Sequence, residues 1–400
     1  MKKTLVKSIL LATLLCLMAS FCVSSALANT SQWKNLSGKN GKGGIINKKK
    51  GTETNICAGS NGRIYATFQD NSKQARVKAY SSGVWSDLAD QNSPNGHISQ
   101  GEAANSYLET RGEETYAAFT DYSQGGKIRV RKWGGSNWAD LADYKFSQGL
   151  ISTGEGVEPI LAFDKAQQNL YAAFLDKGLE GRTKIMKWSI LRLDWSDVGS
   201  GGILGDLTSA EVDLAASKKD DSIYAAFEDF SMGGRIRVQK WNGTSWQNIS
   251  DKNHMDGIIS PRQGYSPSLA VDANDNIYLV YGGKNQKGTY VWKWDGQVWS
   301  EPGGGVLVKG RSKEGTVEVD SNENAYVAFS QKVGGLSWKV AVKKWDGSSW
   351  SDTKYRGKKY LTKGKGMGDP ALSFADGRLY VSFTDAKHKN KPRVMELNTE

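Results

Sequence analysis

Between Glu211 and Ser250 apolar and polar positions alternate with a period of two, in short runs that stop at Gly, Asn or Asp. Val212 and Leu214 face one way from a first run. A polar turn then leads to Ile223-Tyr224-Ala225-Ala226-Phe227, and Gly233-Gly234 introduces Arg235 to Trp241. Asn242-Gly243 turns the chain into a short run opening at Trp246. Alternation of this kind, punctuated by turn residues, predicts four antiparallel strands, A to D. The aromatic pair of strand B recurs as Tyr65/Phe68, Tyr116/Phe119, Tyr171/Phe174, Tyr224/Phe227, Tyr278/Tyr281, Tyr326/Phe329 and Tyr380/Phe383, about every fifty residues. Four strands in a unit of that length make a propeller blade.

Each unit also carries one strand-D tryptophan: Trp85, Trp138, Trp195, Trp246, Trp299 and Trp350, with Trp33 standing apart near the start. The chain ends at Arg393-Val394-Met395-Glu396-Leu397, a strand C with no strand D after it, whereas Ser31 to Leu36 has the strand-D pattern. The N-terminal strand is therefore expected to pair with the last strand C and close the ring, hiding two sheet edges. The expected fold is an all-β, seven-bladed β-propeller forming a single domain over 29–400. Tyr-x-x-Phe puts its two aromatics on opposite faces of strand B, so these residues are expected to fill the packing between blades. Trp133, Trp188, Trp241, Trp294 and Trp345 on strand C, with Tyr80 in the first blade, should do the same further out. Asp272 to Asn276 and Asp320 to Asn324 lack the Gly and closing Glu of a calcium loop and are expected to be A-to-B turns.

Residues 1–28 have the form of a secretory signal. Lys2, Lys3 and Lys7 precede a largely apolar stretch from Leu5 to Met18, and Ala26-Leu27-Ala28 is a small-x-small cleavage site. Export to a secreted, periplasmic or cell-surface location is expected. Cys16 and Cys22 leave with the signal, so Cys57 has no partner for an intramolecular disulfide.

Several segments resemble the roughly fifty-residue repeats of secreted and cell-surface bacterial seven-bladed propellers: Ser268 to Asp272, Ile223 to Phe227 with Asp229, and Val342-Lys343-Lys344-Trp345-Asp346-Gly347-Ser348-Ser349-Trp350. The resemblance spans nearly all of the chain after the signal and implies the fold, with no single activity attached. The Trp-Asp-Gly-Ser-Ser-Trp turn is also loosely similar to the Asp-box turn of sialidases, but the Asp directly precedes the Gly, so no sialidase site residue carries over.

Only 3 His serve the whole chain, which limits acid/base relays and metal sites. The sequence has no nucleophile-elbow serine, no zinc-protease helix motif and no phosphate-binding loop. No cofactor and no metal are expected. A pair of catalytic carboxylates on the channel-lining A strands, drawn from Asp164, Asp213, Asp272, Glu318 and Asp320, is the route left open to a carbohydrate hydrolase or lyase.

Charge is the informative functional feature. Lys39, Lys42 and Lys48 to Lys50 form one basic loop. Lys354, Arg356, Lys358, Lys359, Lys363 and Lys365 form a second, and Lys387, Lys389, Lys391 and Arg393 a third. Counted with their acids, the three loops hold an excess of positive charge equal to the formal +11 of the whole chain. Ring closure should make them neighbours on the face carrying the B-to-C and D-to-A connections. The site expected from sequence is thus Lys48, Lys49, Lys50, Lys358, Lys359, Lys363, Lys365, Lys387 and Lys389 for charge, with Tyr355 and Tyr360 for stacking. The expected ligand is an acidic glycan or other envelope polyanion, bound by a monomeric, non-enzymatic protein. A protein-interaction scaffold of the envelope is the alternative.

Overall fold

The computed structural model describes residues 32–399, apart from 38–42, 60–61, 94, 206–207, 285–287, 336, 363–367 and 369. The secretory signal assigned to 1–28 lies outside these residues, as do Lys363 and Lys365. Seven antiparallel sheets form a closed ring, each with strand A innermost and strand D outermost. Blade 1 comprises Gly51–Ala58, Ile64–Asp70, Ala75–Ser81 and Val84–Asp87, and blades 2 to 6 repeat it, ending with Ser312–Val319, Ala325–Val333, Ser337–Trp345 and Trp350–Asp352. Blade 7 takes Ala371–Ala375, Arg378–Asp385 and Lys391–Asn398 from the C-terminus and its strand D, Lys34–Asn35, from the N-terminus. Lys34 pairs with Glu396 and Asn35 with Met395, which is the closure that the position of Trp33 predicts.

The period-two pattern is realised as blade-to-blade packing. Tyr65 packs toward blade 2 and Phe68 toward blade 7, and both are buried. Tyr116 and Phe119 likewise point to blades 3 and 1. The outer aromatics form a cross-strand pair in each of blades 1 to 6, from Tyr80–Trp85 at 5.2 Å between ring centres to Trp345–Trp350 at 5.4 Å.

Strand-D tryptophans also latch every blade but the fourth to the one before it; in blade 4 the Trp246 indole N–H is buried without a hydrogen-bond partner among the described residues. The Trp138 indole N–H donates to the Leu88 carbonyl at 2.9 Å, that of Trp195 to Leu141 at 2.8 Å, and that of Trp299 to Ile249 at 3.0 Å. Two of these latches bracket the seam: Trp85 donates to the Leu36 carbonyl at 2.9 Å, and Trp33 to Thr353 Oγ1 at 2.8 Å.

The D-to-A connections, which look in the sequence like long open loops, are tied down. Each turns back and pairs with strand C of its own blade: His97 with Arg76, Leu150 with Arg129, Ile258 with Arg237, Tyr360 with Ala341, and at the seam Ile45 with Arg393. Longer pairings, Ile203–Leu204 and Val306–Lys309, do this in blades 3 and 5. Two positions further on, Ser99, Ser152, Ser260 and Thr362 accept strand-C backbone N–H groups at 2.7–3.2 Å. Such a hydroxyl satisfies a donor that the edge of the sheet would otherwise leave open.

Candidate functional site

The B-to-C and D-to-A connections emerge on one face of the ring, and at the seam between blades 7 and 1 they enclose a cleft of about 950 Å³. Its walls come from both ends of the chain. Ile46 donates its backbone N–H to Pro392 at 3.1 Å and Gly51 to Asn390 at 2.8 Å, so the loop bearing Lys48 to Lys50 is stitched along the B-to-C turn of blade 7. That turn is a short helical segment capped by Asp385, which accepts the Lys387 N–H at 3.0 Å. Lys389 and Asn390 follow it in the left-handed region, with φ of 61° and 54°, and swing the chain back into strand C.

Lys48, Lys49, Lys387, Lys389 and Lys391 line the cleft, and none has a carboxylate partner among the described residues. The acids nearby are already engaged. Asp385 is buried and accepts from Arg393 at 3.0 Å and from His388 Nδ1 at 2.9 Å. Asp70 faces His97 Nε2 at 2.9 Å and caps the turn at Ser72. Asp87 pairs with Arg76 and Lys78, each at 2.7 Å. Burial pushes the Asp87 carboxyl up, but hydrogen bonds and charge from Arg76 and Lys78 outweigh it and hold the group below the ordinary range. The cleft surface therefore keeps its positive charge. Trp85 adds a half-buried indole to one wall, and His97 and His388 add imidazoles.

The structure redistributes the residues expected from sequence. Lys48, Lys49, Lys387 and Lys389 come together in the cleft, and Lys50 is exposed at its end. Lys358 and Lys359 belong to the neighbouring connection and do not line it. Tyr355 is no stacking platform, because its ring is buried in the core between blades 6 and 7 and its hydroxyl accepts from Asn35 Nδ2 at 3.0 Å. Tyr360 is half-buried, donates to Gln331 Oε1 at 3.0 Å, and has the ammonium groups of Lys339 and Lys359 5.2 and 5.3 Å from its ring centre. Trp85, His97, His388 and Lys391 take their place in the cleft.

The central channel, about 940 Å³, is lined by the A strands of all seven blades. Of the acids named from sequence, Asp164, Asp272 and Asp320 cap A-to-B turns, accepting backbone N–H groups two to five residues ahead, as at Gln168 (2.8 Å), Asn276 (2.9 Å) and Asn322 (2.9 Å). The calcium-like segments are therefore turns. Asp213 and Glu318 do face the channel, joined by Glu109, which sequence reading passed over. Asp213 is structural: it accepts the N–H of Leu269 in the next blade at 2.8 Å and that of Leu214 at 2.9 Å. Burial in the narrow lumen pushes Glu109 up to about 7, Asp213 up to about 6 and Glu318 up to about 8, the last aided by the charges of Glu109 and Asp213. Among the described residues no group of three or more His, Cys, Asp or Glu side chains is placed to hold a metal ion.

No family model and no curated protein matches the chain. Among solved structures, the chain is similar to ulvan lyase, a polysaccharide lyase bound to -[GlcA(1-4)Rha3S]-, at 12% identity over 89% of this chain and 96% of that one, with a TM-score of 0.58. It is similar at lower TM-score, 0.47, to the six-bladed fucose-binding lectin of Aleuria aurantia, at 13% identity over 79% of this chain and 98% of that one. At this identity the likeness to ulvan lyase shows the propeller fold.

Proposed function

We propose that this is an exported glycan-binding propeller that holds an acidic polysaccharide in the seam cleft. The observation that carries the reading is the convergence of Lys48, Lys49, Lys387, Lys389 and Lys391, without carboxylate partners among the described residues, on one concave wall beside Trp85. Ammonium groups gathered on one wall repel one another and are stabilised by a ligand carrying regularly spaced anions, such as uronate carboxylates or sulfate esters. The half-buried Trp85 offers an apolar edge for the C–H face of a sugar ring. That a propeller of this architecture has been captured with a glucuronate and sulfated-rhamnose unit supports the same ligand class.

The test is an acidic-glycan array probed at low and physiological salt with the wild type and the variant K48Q/K49Q/K387Q/K389Q. Selective wild-type retention at physiological salt, weakened at least tenfold in the variant, is the expected result. Retention of every polyanion equally, and only at low salt, defeats the reading and turns attention to protein partners of the same face.

One observation favours a second reading, uronate β-elimination. The half-exposed His388 ring is oriented by Asp385 through Nδ1, leaving Nε2 available in a cleft whose lysines would neutralise a substrate carboxylate. Nε2 would take the proton α to that carboxylate, the electron pair of the C–H bond would form the ring double bond, and the bond to the leaving glycosidic oxygen would break with its pair on that oxygen, which takes a proton from solvent to become a hydroxyl. Ultraviolet absorbance of unsaturated uronate, present in the wild type and absent in H388A, decides it.

A further inference from the structure

Of the 14 tryptophans, all but Trp292 and Trp338 occupy the repeat positions of strands C and D. Trp292 is buried against His254 and Tyr281. Trp338 is half-buried and belongs to a feature confined to blade 6. In blades 2, 3, 4 and 7 strand B ends in an Asp, at Asp121, Asp176, Asp229 and Asp385, that caps a compact helical turn. In blades 5 and 6 the same position holds Gly283 and Gln331. The strands of blade 6 then continue as a ladder through Lys332 with Trp338 to Val333 with Ser337.

Blade 5 is altered beside it in a complementary way. The Tyr265 ring lies across Gly282, where any Cβ would come within 2.4 Å of Cζ, and its hydroxyl donates to the Ser312 carbonyl at 2.8 Å. Glycine at 282 is the device that permits this: the equivalent residues in the neighbouring blades are Glu228 and Ser330. Tyr265 and Trp338 thus flank a pocket of about 460 Å³ that also receives Arg311 and Lys313. Lys313 Nζ lies 5.4 Å from the Trp338 ring centre, and the exposed Arg311 has no carboxylate partner among the described residues. Lys284, on the far wall, is engaged by Glu228, and Glu211, the acid in the lining, accepts the Ser266 backbone N–H.

We propose that this pocket is a second saccharide subsite, taking a sugar ring between Tyr265 and Trp338 with its carboxylate or sulfate on Arg311. Two aromatic faces with a free guanidinium are what a pyranose bearing one anionic group requires: apolar C–H surface against the rings and a planar fork for the anion. The pocket is built from B-to-C and D-to-A segments, so it opens on the same face as the seam cleft, two blades away around the ring. A polysaccharide long enough to span both would bind with the gain of a tethered second contact. This inference shares the ligand class of the proposed function but rests on different residues.

Calorimetric titration with a chondroitin sulfate disaccharide, which carries a single uronate and occupies one site at a time, separates the two. The wild type is expected to bind two per chain at physiological salt, W338A/R311Q one, and the seam variant K48Q/K49Q/K387Q/K389Q one. W338F should keep the pocket occupied, which excludes a folding defect. Polymeric chondroitin sulfate should bind the wild type at least tenfold more tightly than either variant. Unchanged stoichiometry and affinity in W338A/R311Q overturn the second subsite. Unchanged binding in the seam variant, with loss in W338A/R311Q, overturns the seam and leaves the subsite standing. No binding by the wild type overturns both.

Discussion

Arg393 is where the two ends of the chain meet at single-residue scale. Its guanidinium donates to Asp385 at 3.0 Å and, from the other nitrogen, to Asn35 of the N-terminal strand at 2.6 Å, with the Tyr355 and Phe383 rings 5.7 and 5.5 Å away. Removing it leaves Asp385 buried with only His388 and the Lys387 N–H as partners, and R393M is expected to cost about 3 kcal/mol in urea denaturation, as loss of one partner of a buried ion pair does. The channel carboxylates act in the opposite sense. Glu109, Asp213 and Glu318 hold protons in the folded ring that the unfolded chain releases near pH 4, so their contribution is fully present at lower pH. It is lost as pH rises from there through the range between about 6 and 8 where the folded groups ionise. The melting temperature is expected to fall from about pH 5 to about pH 8, and E109Q/E318Q to flatten that slope; an unchanged slope would assign it elsewhere. Single residues were also where sequence reading failed. Tyr355 and Tyr360 stand among lysines in the sequence, yet residue order does not say which side of the turn at Arg356 and Gly357 faces water. Trp85 looks in sequence like its buried counterparts Trp138 and Trp195, yet it is half-uncovered, as Trp246 and Trp350 are, and residue order does not tell the two groups apart.

Among the elements, the N-terminal strand carries more than its two paired residues suggest. Trp33 and Leu36 are buried in two different inter-blade clusters, and Trp33 adds the latch to Thr353. W33A is expected to cost about 3–5 kcal/mol, the range for truncating a core aromatic. Protease nicking should then begin in the seam, which limited proteolysis followed by mass mapping would locate. This strand was legible because its signature, a tryptophan before a short polar-apolar run, repeats in every blade. The return of each D-to-A connection onto strand C was equally written in the chain, as Ile45-Ile46-Asn47, His97-Ile98-Ser99, Leu150-Ile151-Ser152 and Ile258-Ile259-Ser260. It escaped notice because a pairing of one or two residues leaves no run long enough for periodicity to show.

For the whole molecule, the ring converts sequence distance into adjacency: lysines near position 48 and near position 388 share one cleft because closure places blade 7 against blade 1. The blade number and closure followed from repeats that any strand-by-strand reading finds. The second subsite did not, since it arises where blades 5 and 6 depart from the repeat, and a departure is visible only against the three-dimensional norm. Closure has a kinetic side as well. Asn35 and Arg393 are 358 positions apart, and contacts of such separation are the last and slowest to form. A chain made from its N-terminus holds the Trp33 strand without a partner until its final strand has been synthesised, so the ring cannot be completed early. The cleft exists only once that last pairing is made; ligand binding at the seam is therefore a direct readout of finished folding, and a refolding time course followed by binding should lag one followed by tryptophan burial.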